Sequence, residues 1–130
     1  MLIDTNIILE IGLGQKHAND CGILLDKIAF DQILEQVYIT EFSLNAICAI
    51  CNNNQFLRDF LLLISEGKIE KVNLTMEDYF VVNAVKKDLK LDFDDALQFI
   101  VANKLKTYLV TFDKDFKKTS LETKIPSEIL

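Results

Sequence analysis

The chain has 130 residues, which predicts a single domain over residues 1–130, and half of its residues are hydrophobic, enough for a real core. Its 20 acidic and 14 basic residues give a net charge of −6, which disfavours nucleic-acid binding driven by bulk positive charge alone. The apolar runs are too short to cross a bilayer, no basic segment precedes the N-terminal apolar residues, and three cysteines do not make a disulfide framework. Together these features predict a cytoplasmic protein with no membrane contact.

The first predicted elements are a strand and two helices. Leu2-Ile3 predicts a buried strand, because an apolar pair leads directly into a polar turn, and a short helix is expected from about Thr5. Asn19 or Asp20 is the expected cap of the next helix. The predicted inner face of that helix comprises Ile23, Leu24 and Ile28.

The middle of the chain predicts one strand and two further helices. Residues 37–39 are β-branched and aromatic, which favours a strand. Residues 41–51 follow helical periodicity, with an apolar side formed by Leu44, Ile47 and Cys48. Three asparagines break that helix, and residues 56–65 predict another, which Gly67 is placed to end.

The last third predicts a strand and two helices with acidic first turns. Residues 68–74 alternate as a strand does, and Thr75 followed by Glu77-Asp78 is typical of a helix start. The expected apolar stripe of that helix is Val81, Ala84, Val85 and Leu89. Residues 92–104 predict the next helix, with Ala96, Leu97, Ile100 and Val101 inside. Strands that alternate with helices predict a parallel sheet covered on both faces.

Acidic residues fall at the points where these elements meet. Asp4 and Asp113 each follow a short apolar run, and Glu41 and Asp95 each lie at the start of a predicted helix. Because ligands bind at the carboxyl ends of parallel strands, the four carboxylates are expected to meet at one edge of the sheet. Such a cluster repels itself unless a hard cation neutralises it. The pattern therefore predicts a site for Mg²⁺ or Mn²⁺, which prefer oxygen ligands.

Divalent ions held by shared carboxylates are suited to phosphodiester hydrolysis, which needs a deprotonated water and stabilisation of charge on the phosphate. Asp4 is the best bridging candidate, since a strand end fixes its position. Thr5 and Asn6 are expected to orient it, and Thr111 is expected to do the same for Asp113. An aspartate at a junction between strand and helix is also often only a helix cap, which is the plainer interpretation of such positions.

The order and spacing of four segments resemble the successive motifs of PIN domains, and the VapC-type members most of all. The segments are residues 1–6, Thr40-Glu41, Asp94-Asp95-Ala96-Leu97-Gln98 and Val110-Thr111-Phe112-Asp113-Lys114-Asp115-Phe116. The resemblance covers almost the whole chain. It implies a Rossmann-like, three-layer α/β/α sandwich around a mostly parallel sheet of four to five strands.

The resemblance also implies a function. It implies a metal-dependent endoribonuclease that is the toxin of a toxin–antitoxin pair, with RNA as substrate, a small antitoxin as partner and a homodimer as the assembly. The residues it implies for metal binding and catalysis are Asp4, Glu41, Asp95 and Asp113. Asp95 rather than Asp94 matches the family motif, and Asp115 matches a further acid that supports the metal ligands.

Five lysines gather in sequence around the last two motifs, at positions 104, 106, 114, 117 and 118. Lys114 and Lys117 are the candidates for contact with substrate phosphates. The plainer interpretation is a solvated, lysine-rich surface.

Other chemistry has less support in the sequence. His17, Cys21, Cys48 and Cys51 are zinc-ligand types, but Cys48 and Cys51 fall within or at the end of a helix rather than in a tight turn. A single histidine excludes cleavage of RNA by a pair of histidines. No glycine-rich phosphate-binding loop is present.

Two alternative functions remain open at this point. A receiver-like signalling domain also carries acids at strand ends, but it expects paired acids after the first strand, where Thr5 follows Asp4. A degenerate, non-catalytic PIN-like module that acts by partner binding is the second alternative.

Overall fold

A computed structural model describes residues 1–130, and its centre is a sheet of five parallel strands. The strands are β1 (Leu2–Ile3), β2 (Tyr38–Thr40), β3 (Glu70–Val72), β4 (Leu109–Val110) and β5 (Thr123–Lys124). Their order across the sheet is β3-β2-β1-β4-β5. The expected α/β fold is confirmed, and the sheet is wholly rather than mostly parallel.

Six α-helices connect and flank the strands. They are α1 (Thr5–Gly12), α2 (Ala18–Ala29), α3 (Glu41–Ile50), α4 (Asn54–Ser65), α5 (Met76–Leu89) and α6 (Phe93–Leu105). Short 3-10 turns follow at Lys114–Lys118 and Pro126–Glu128. No helix has both the length and the apolar character needed to cross a membrane.

Side chains that cap the helices explain where several of them begin. Thr40 accepts from the backbone N–H of Ser43 at the start of α3. Thr75 and Asp78 form a reciprocal capping box at the start of α5, as the sequence predicts. These caps satisfy N–H groups that have no partner within the helix, so they fix where each helix leaves its strand.

The sheet buries apolar side chains on both faces. Along β1, Ile3 belongs to the larger core cluster with residues of α1 to α4, whereas Leu2 belongs to a second cluster with Val101 of α6. This alternation follows from the pleat of a strand, which turns successive side chains to opposite faces. The helices therefore form a layer on each side of the sheet.

The position of β1 matters most for function. The chain moves from β1 to β2 and β3 on one side, and then returns to place β4 and β5 on the other side of β1. The boundary between β1 and β4 is therefore the topological switch point, where a crevice opens beyond the carboxyl ends of the strands. Asp4 leaves β1 at this point, directly beside the end of β4.

Three details of the sequence-based helix predictions are wrong. Helix α2 starts at Ala18, before the expected caps, and its Ile23 is 39 % exposed. Cys48 is exposed rather than in the core, because the buried positions of α3 are Ser43 and Ile47 and Cys48 lies one step further around the helix.

The apolar stripe of α5 also differs from its prediction. Val82 is buried, whereas Val81 is 46 % exposed and Ala84 is exposed. Val82 packs against Leu97 and Ile100 of α6. Helix α5 packs against α6 rather than against the sheet. It therefore buries few side chains, Asp78 and Val82, instead of the wider apolar stripe that was predicted.

Phe60 provides a test of the core. It is completely buried in α4, so Phe60→Ala is expected to lower the free energy of unfolding by about 3–5 kcal/mol through lost burial and a residual cavity. The matched control is Phe80→Ala in α5, whose side chain is 80 % exposed, with an expected change within about 0.5 kcal/mol. Urea denaturation measures both values, and equal losses would contradict this description of the core.

Candidate metal centre at the switch point

Asp4 is fixed by the backbone of two neighbouring strands. Its N–H donates to the carbonyl of Val110 at the end of β4, at 3.0 Å. Its carboxylate caps α1, with Oδ1 accepting from the N–H of Thr5 at 2.7 Å. The residue is only 8 % exposed. The carboxylate thus lies in the crevice between β1 and β4.

Three side chains also reach the Asp4 carboxylate. Thr111 Oγ1 donates to Oδ2 at 2.7 Å. Asn6 Nδ2 approaches Oδ2 at 3.4 Å, and Gln98 Nε2 approaches Oδ1 at the same distance. The Thr111 contact is the short and strong one, and the two amide contacts are long. Both carboxylate oxygens therefore have a partner that fixes their orientation.

Ser43 links the elements around Asp4. Its Oγ lies 2.7 Å from Gln98 Nε2, 2.8 Å from Thr5 Oγ1 and 3.0 Å from Thr40 Oγ1. One hydroxyl proton and two lone pairs are enough for three such partners. Ser43 is completely buried, so this network joins α1, α3 and α6 beneath the site.

Three carboxylates converge beside Asp4. Oxygens of Asp95, Asp113 and Asp115 all lie within 4.8 Å of one another. Asp95 comes from the first turn of α6, and Asp113 and Asp115 come from the turn after β4. Carboxylate oxygens at this separation could hold a divalent cation.

Hydrogen bonds hold this turn in place. The N–H of Asp113 donates to Thr111 Oγ1 at 3.0 Å, and Asp113 Oδ1 accepts from the N–H of Asp115 at 2.8 Å. Thr111 therefore contacts both Asp4 and the backbone of Asp113. One threonine side chain couples the ends of β1 and β4.

Burial and like charge make the site electrostatically unfavourable for ionised carboxyls. Burial first, and then the nearby carboxylates of Asp113, Asp94 and Asp4, raise the pKa of Asp95 to about 7. Burial likewise raises the pKa of Asp4, although its hydrogen bonds from Thr111 and Thr5 oppose the shift. None of the chain's ion pairs includes Asp4, Asp95 or Asp113. A bound cation would remove this repulsion.

Two buried oxygens strengthen the fit to a cation. Asn6 Oδ1 and Gln98 Oε1 have no hydrogen-bond partner. Both belong to amides whose nitrogens reach toward Asp4. An unpaired buried oxygen carries a desolvation cost, which a hydrated cation or one of its waters would remove.

Glu41 lies apart from the three converged carboxylates. It starts α3 at the end of β2, but its Oε1 pairs with Lys71 Nζ at 3.5 Å and its side chain is 48 % exposed. Its role as a metal ligand stays a prediction. Asp115, expected from the sequence only as a supporting acid, is one of the three that converge.

The candidate substrate lysines lie in a cavity next to Asp113. Lys114 and Lys117 line a cavity of about 750 Å³ whose wall also includes Thr111 and Asp113. Neither lysine takes part in an ion pair with a carboxylate.

Sequence reasoning did not assign a role to Ser43 or Gln98. Gln98 follows Asp95 by three positions, which places both on one face of α6. Ser43 lies three residues after its cap Thr40, so it faces the strand end. These spacings were visible in the sequence, but the hydrogen-bond partners of Ser43 and Gln98 are distant along the chain, so the spacings alone did not indicate a role.

The cysteines and the histidine do not cluster as candidate metal ligands. No group of three possible ligands within 4.8 Å contains a cysteine or the histidine. Burial raises the pKa of the Cys21 thiol to about 12, which disfavours its thiolate form.

The fold and site define a class of protein: a doubly wound α/β domain with a carboxylate cluster at its switch point. A family model described as the PIN domain matches residues 1–121. The chain belongs to the PIN domain family, as the sequence motifs predict, and the receiver-like interpretation is not retained.

Two solved structures share the fold. A toxin–antitoxin complex from Klebsiella pneumoniae contains a chain that is 17 % identical, with a TM-score of 0.72 and 96 % of each chain covered. A chain in VapBC2 from Rickettsia felis, bound to a DNA fragment from their promoter, is 16 % identical, with a TM-score of 0.68, 95 % of this chain and 96 % of that chain covered. No curated protein sequence matches this chain.

The raised pKa of Asp95 has a consequence for stability without metal. Folding raises the pKa of Asp95 from its usual value of 3.8 to about 7, so the folded state holds an extra proton between these values. The free energy of unfolding is therefore higher below this pH window, and it falls as pH rises through the window. Asp95→Asn cannot titrate, so the variant is expected to lack this decline and to be the more stable protein above pH 7.

Urea denaturation in chelator at about pH 4.5 and about pH 7.5 measures this difference, which we expect to be at least about 1 kcal/mol after allowance for solvent screening. Asp88→Asn, an exposed position of α5, is the matched control. A wild-type protein that gains stability relative to Asp95→Asn as pH rises would contradict the electrostatic description.

Proposed function

We propose that this protein is a metal-dependent endoribonuclease that hydrolyses RNA phosphodiester bonds. The observation that carries the proposal is the convergence of Asp95, Asp113 and Asp115 within 4.8 Å, next to the buried Asp4, at the switch point of the sheet. Membership of the PIN domain family supports nuclease chemistry in preference to other uses of an acidic crevice.

The proposed cofactor is Mg²⁺ or Mn²⁺, because every candidate ligand is an oxygen. Asp4, Asp95 and Asp113 are the proposed ligands, and Asp115 lies beside them. Glu41 is a further proposed ligand, which would bind the metal after its ion pair with Lys71 is broken. A metal held by these residues would neutralise charge on the phosphate and lower the pKa of an attacking water.

The protein's own residues provide orientation. Thr111 and the N–H of Thr5 hold the Asp4 carboxylate, and Asn6 and Gln98 flank it with their amides. These groups are placed before substrate arrives, so no reorganisation is needed in the transition state. Lys114 and Lys117 are proposed to bind phosphates next to the scissile bond, since neither has an acidic partner.

We further propose that the protein acts in the cytoplasm as the toxin of a toxin–antitoxin pair, with a small antitoxin as partner and a homodimer as its assembly. The support is that both structural relatives come from toxin–antitoxin complexes. A coexpressed antitoxin that copurifies with the chain and suppresses its cleavage of RNA is the expected result. An isolated, active chain with no such partner encoded beside it would contradict the toxin assignment.

Asp4→Asn tests the catalytic proposal. The purified protein is expected to cleave single-stranded RNA with Mg²⁺ or Mn²⁺, and to lose cleavage on chelation. Asp4→Asn is expected to lower the rate by about two orders of magnitude or more, the scale of one key electrostatic contact. Cleavage is followed with an end-labelled RNA under single-turnover conditions.

Asp88→Asn is the control for that experiment, since it makes the same chemical change at an exposed position of α5. It is expected to keep the wild-type rate. Equal cleavage by Asp4→Asn and wild type would rule out the proposed centre. A folded wild-type protein that cleaves no RNA with either metal would favour the non-catalytic, partner-binding alternative.

Glu41 allows a separate test of the metal ligands. If Glu41 reaches the metal, Glu41→Gln lowers Mn²⁺ affinity, whereas Lys71→Ala raises it by up to about fivefold, because an exposed ion pair of about 0.2–1 kcal/mol no longer competes. Isothermal titration calorimetry measures both. Glu77→Gln, in the first turn of α5, is the control. Unchanged affinity in Glu41→Gln would limit Glu41 to its pair with Lys71.

A further inference from the structure

The cavity beside Asp113 contains features that metal binding does not use. It measures about 750 Å³, within the ~300–1,000 Å³ typical of ligand sites. Two of its wall residues, Thr111 and Asp113, also belong to the acidic centre. Whatever occupies this cavity therefore lies directly next to the proposed scissile phosphate.

The lining of the cavity is charged and aromatic. Three lysines, Lys114, Lys117 and Lys124, lie in it together with three carboxylates, those of Asp20, Asp113 and Glu128. Lys124 is already engaged, with Glu122 at 3.8 Å and with the ring of Tyr108 at 4.3 Å. Lys114 and Lys117 are not paired, so they are free to receive an anion.

The only histidine of the chain lies in the same wall. The ring of His17 stacks on Phe112 with centroids 4.3 Å apart and planes 16° apart. Phe112 also packs against the core, so it provides a fixed base for the histidine ring. The pair forms a flat aromatic surface at the edge of a cavity that carries unpaired lysines.

We propose that this cavity binds one nucleotide of a single-stranded nucleic acid next to the cleavage point, with its base stacked on His17 and its phosphate held by Lys114 and Lys117. Flat rings and lysines along one groove are the means by which single strands are bound without sequence readout. The proposal rests on the proposed function only for the identity of the strand as substrate.

The stacking contact is tested by binding, with cleavage prevented by Asp95→Asn. The probe is a fluorescent RNA of eight nucleotides, together with a set of the same RNAs in which one base at a time is absent. His17→Ala is expected to weaken binding of the intact RNA about five- to tenfold, the scale of one base stack on an aromatic ring. His17→Phe keeps a flat ring and is expected to retain the affinity.

The missing bases identify the partner of His17. At one position of the RNA, removal of the base is expected to weaken binding to the protein that retains His17. The loss of affinity is expected to equal the loss that His17→Ala causes with the intact RNA. The same removal is expected to have no further effect on His17→Ala protein, because the two changes abolish one and the same interaction. Independent effects at every position, or an unchanged affinity in His17→Ala, would overturn the proposal.

The phosphate contacts are tested by salt dependence. The double variant Lys114→Ala/Lys117→Ala is expected to reduce the slope of log affinity against log salt by about 0.7 for each phosphate that is no longer neutralised. The control is Lys86→Ala/Lys87→Ala, which changes the same charge at the end of α5, outside the cavity wall. A control that changes the slope as much as the cavity variant would overturn the assignment of these lysines.

Two further outcomes separate this inference from others. A polyglutamate peptide that binds as tightly as the RNA, and depends equally on His17, would show a site for acidic chains and overturn the nucleotide assignment. Coupling between His17 and one base in a protein that cleaves no RNA would support the cavity while refuting the proposed function. Cleavage that is unaffected by His17→Ala, together with uncoupled binding, would refute the cavity alone.

Discussion

The structure depends on one constraint: carboxylates must be held close together, where they repel each other, in a crevice that buries Asp4 and Asp95, half-buries Asp113 and leaves Asp115 exposed. Asp4 is nearly buried, and Asp95, Asp113 and Asp115 share a sphere only a few ångströms across. Like charges at this distance are costly where burial reduces their contact with water, as it does for Asp4 and Asp95. Strand ends and hydrogen bonds determine where the carboxylates of Asp4 and Asp113 lie, and the pKa values of Asp4 and Asp95 are raised as a result.

The sheet topology is what makes this convergence possible. Strands β1 and β4 are neighbours although more than a hundred residues separate them, and the hydrogen bond from the Asp4 N–H to the Val110 carbonyl joins their ends. Thr111 then contacts Asp4 and the backbone of Asp113 together. The buried Ser43 likewise links elements that are distant along the chain, because its hydrogen bonds connect α1, α3 and α6. The acidic groups are thus supported by a neutral, buried hydrogen-bond network rather than by salt bridges.

The sequence was sufficient to predict much of this arrangement. The order of the first four strands and the six helices, the parallel sheet and the family follow from periodicity and from the motifs around Asp4, Glu41, Asp95 and Asp113, whereas the edge strand β5 was not predicted. Asp4 and Asp113 were predicted to share one edge of the sheet because both follow apolar runs, and the structure places them there. The caps at Thr75 and Asp78 were local, so they too could be predicted.

Other features depend on partners that a local pattern does not reveal. Which side of α5 is exposed depends on how the helix packs on α6. The predicted apolar stripe, which included Val81 and Ala84, was therefore wrong. Cys48 was assigned to the core because its type is often buried, but α3 packs through Ser43 and Ile47. The contacts of Gln98 and Ser43 span 55 positions, and the ion pair of Glu41 with Lys71 comes from a neighbouring strand. Such details are fixed by tertiary packing.

The pKa of Asp95 near neutrality has a consequence for ion exchange. A proton that Asp95 keeps toward neutral pH occupies the oxygens that the proposed divalent cation would use. Uptake of the cation would then release hydrogen ions into the solvent. The apparent affinity for the cation would increase with alkalinity, so that the acidity of the surroundings would set how much of the protein is loaded.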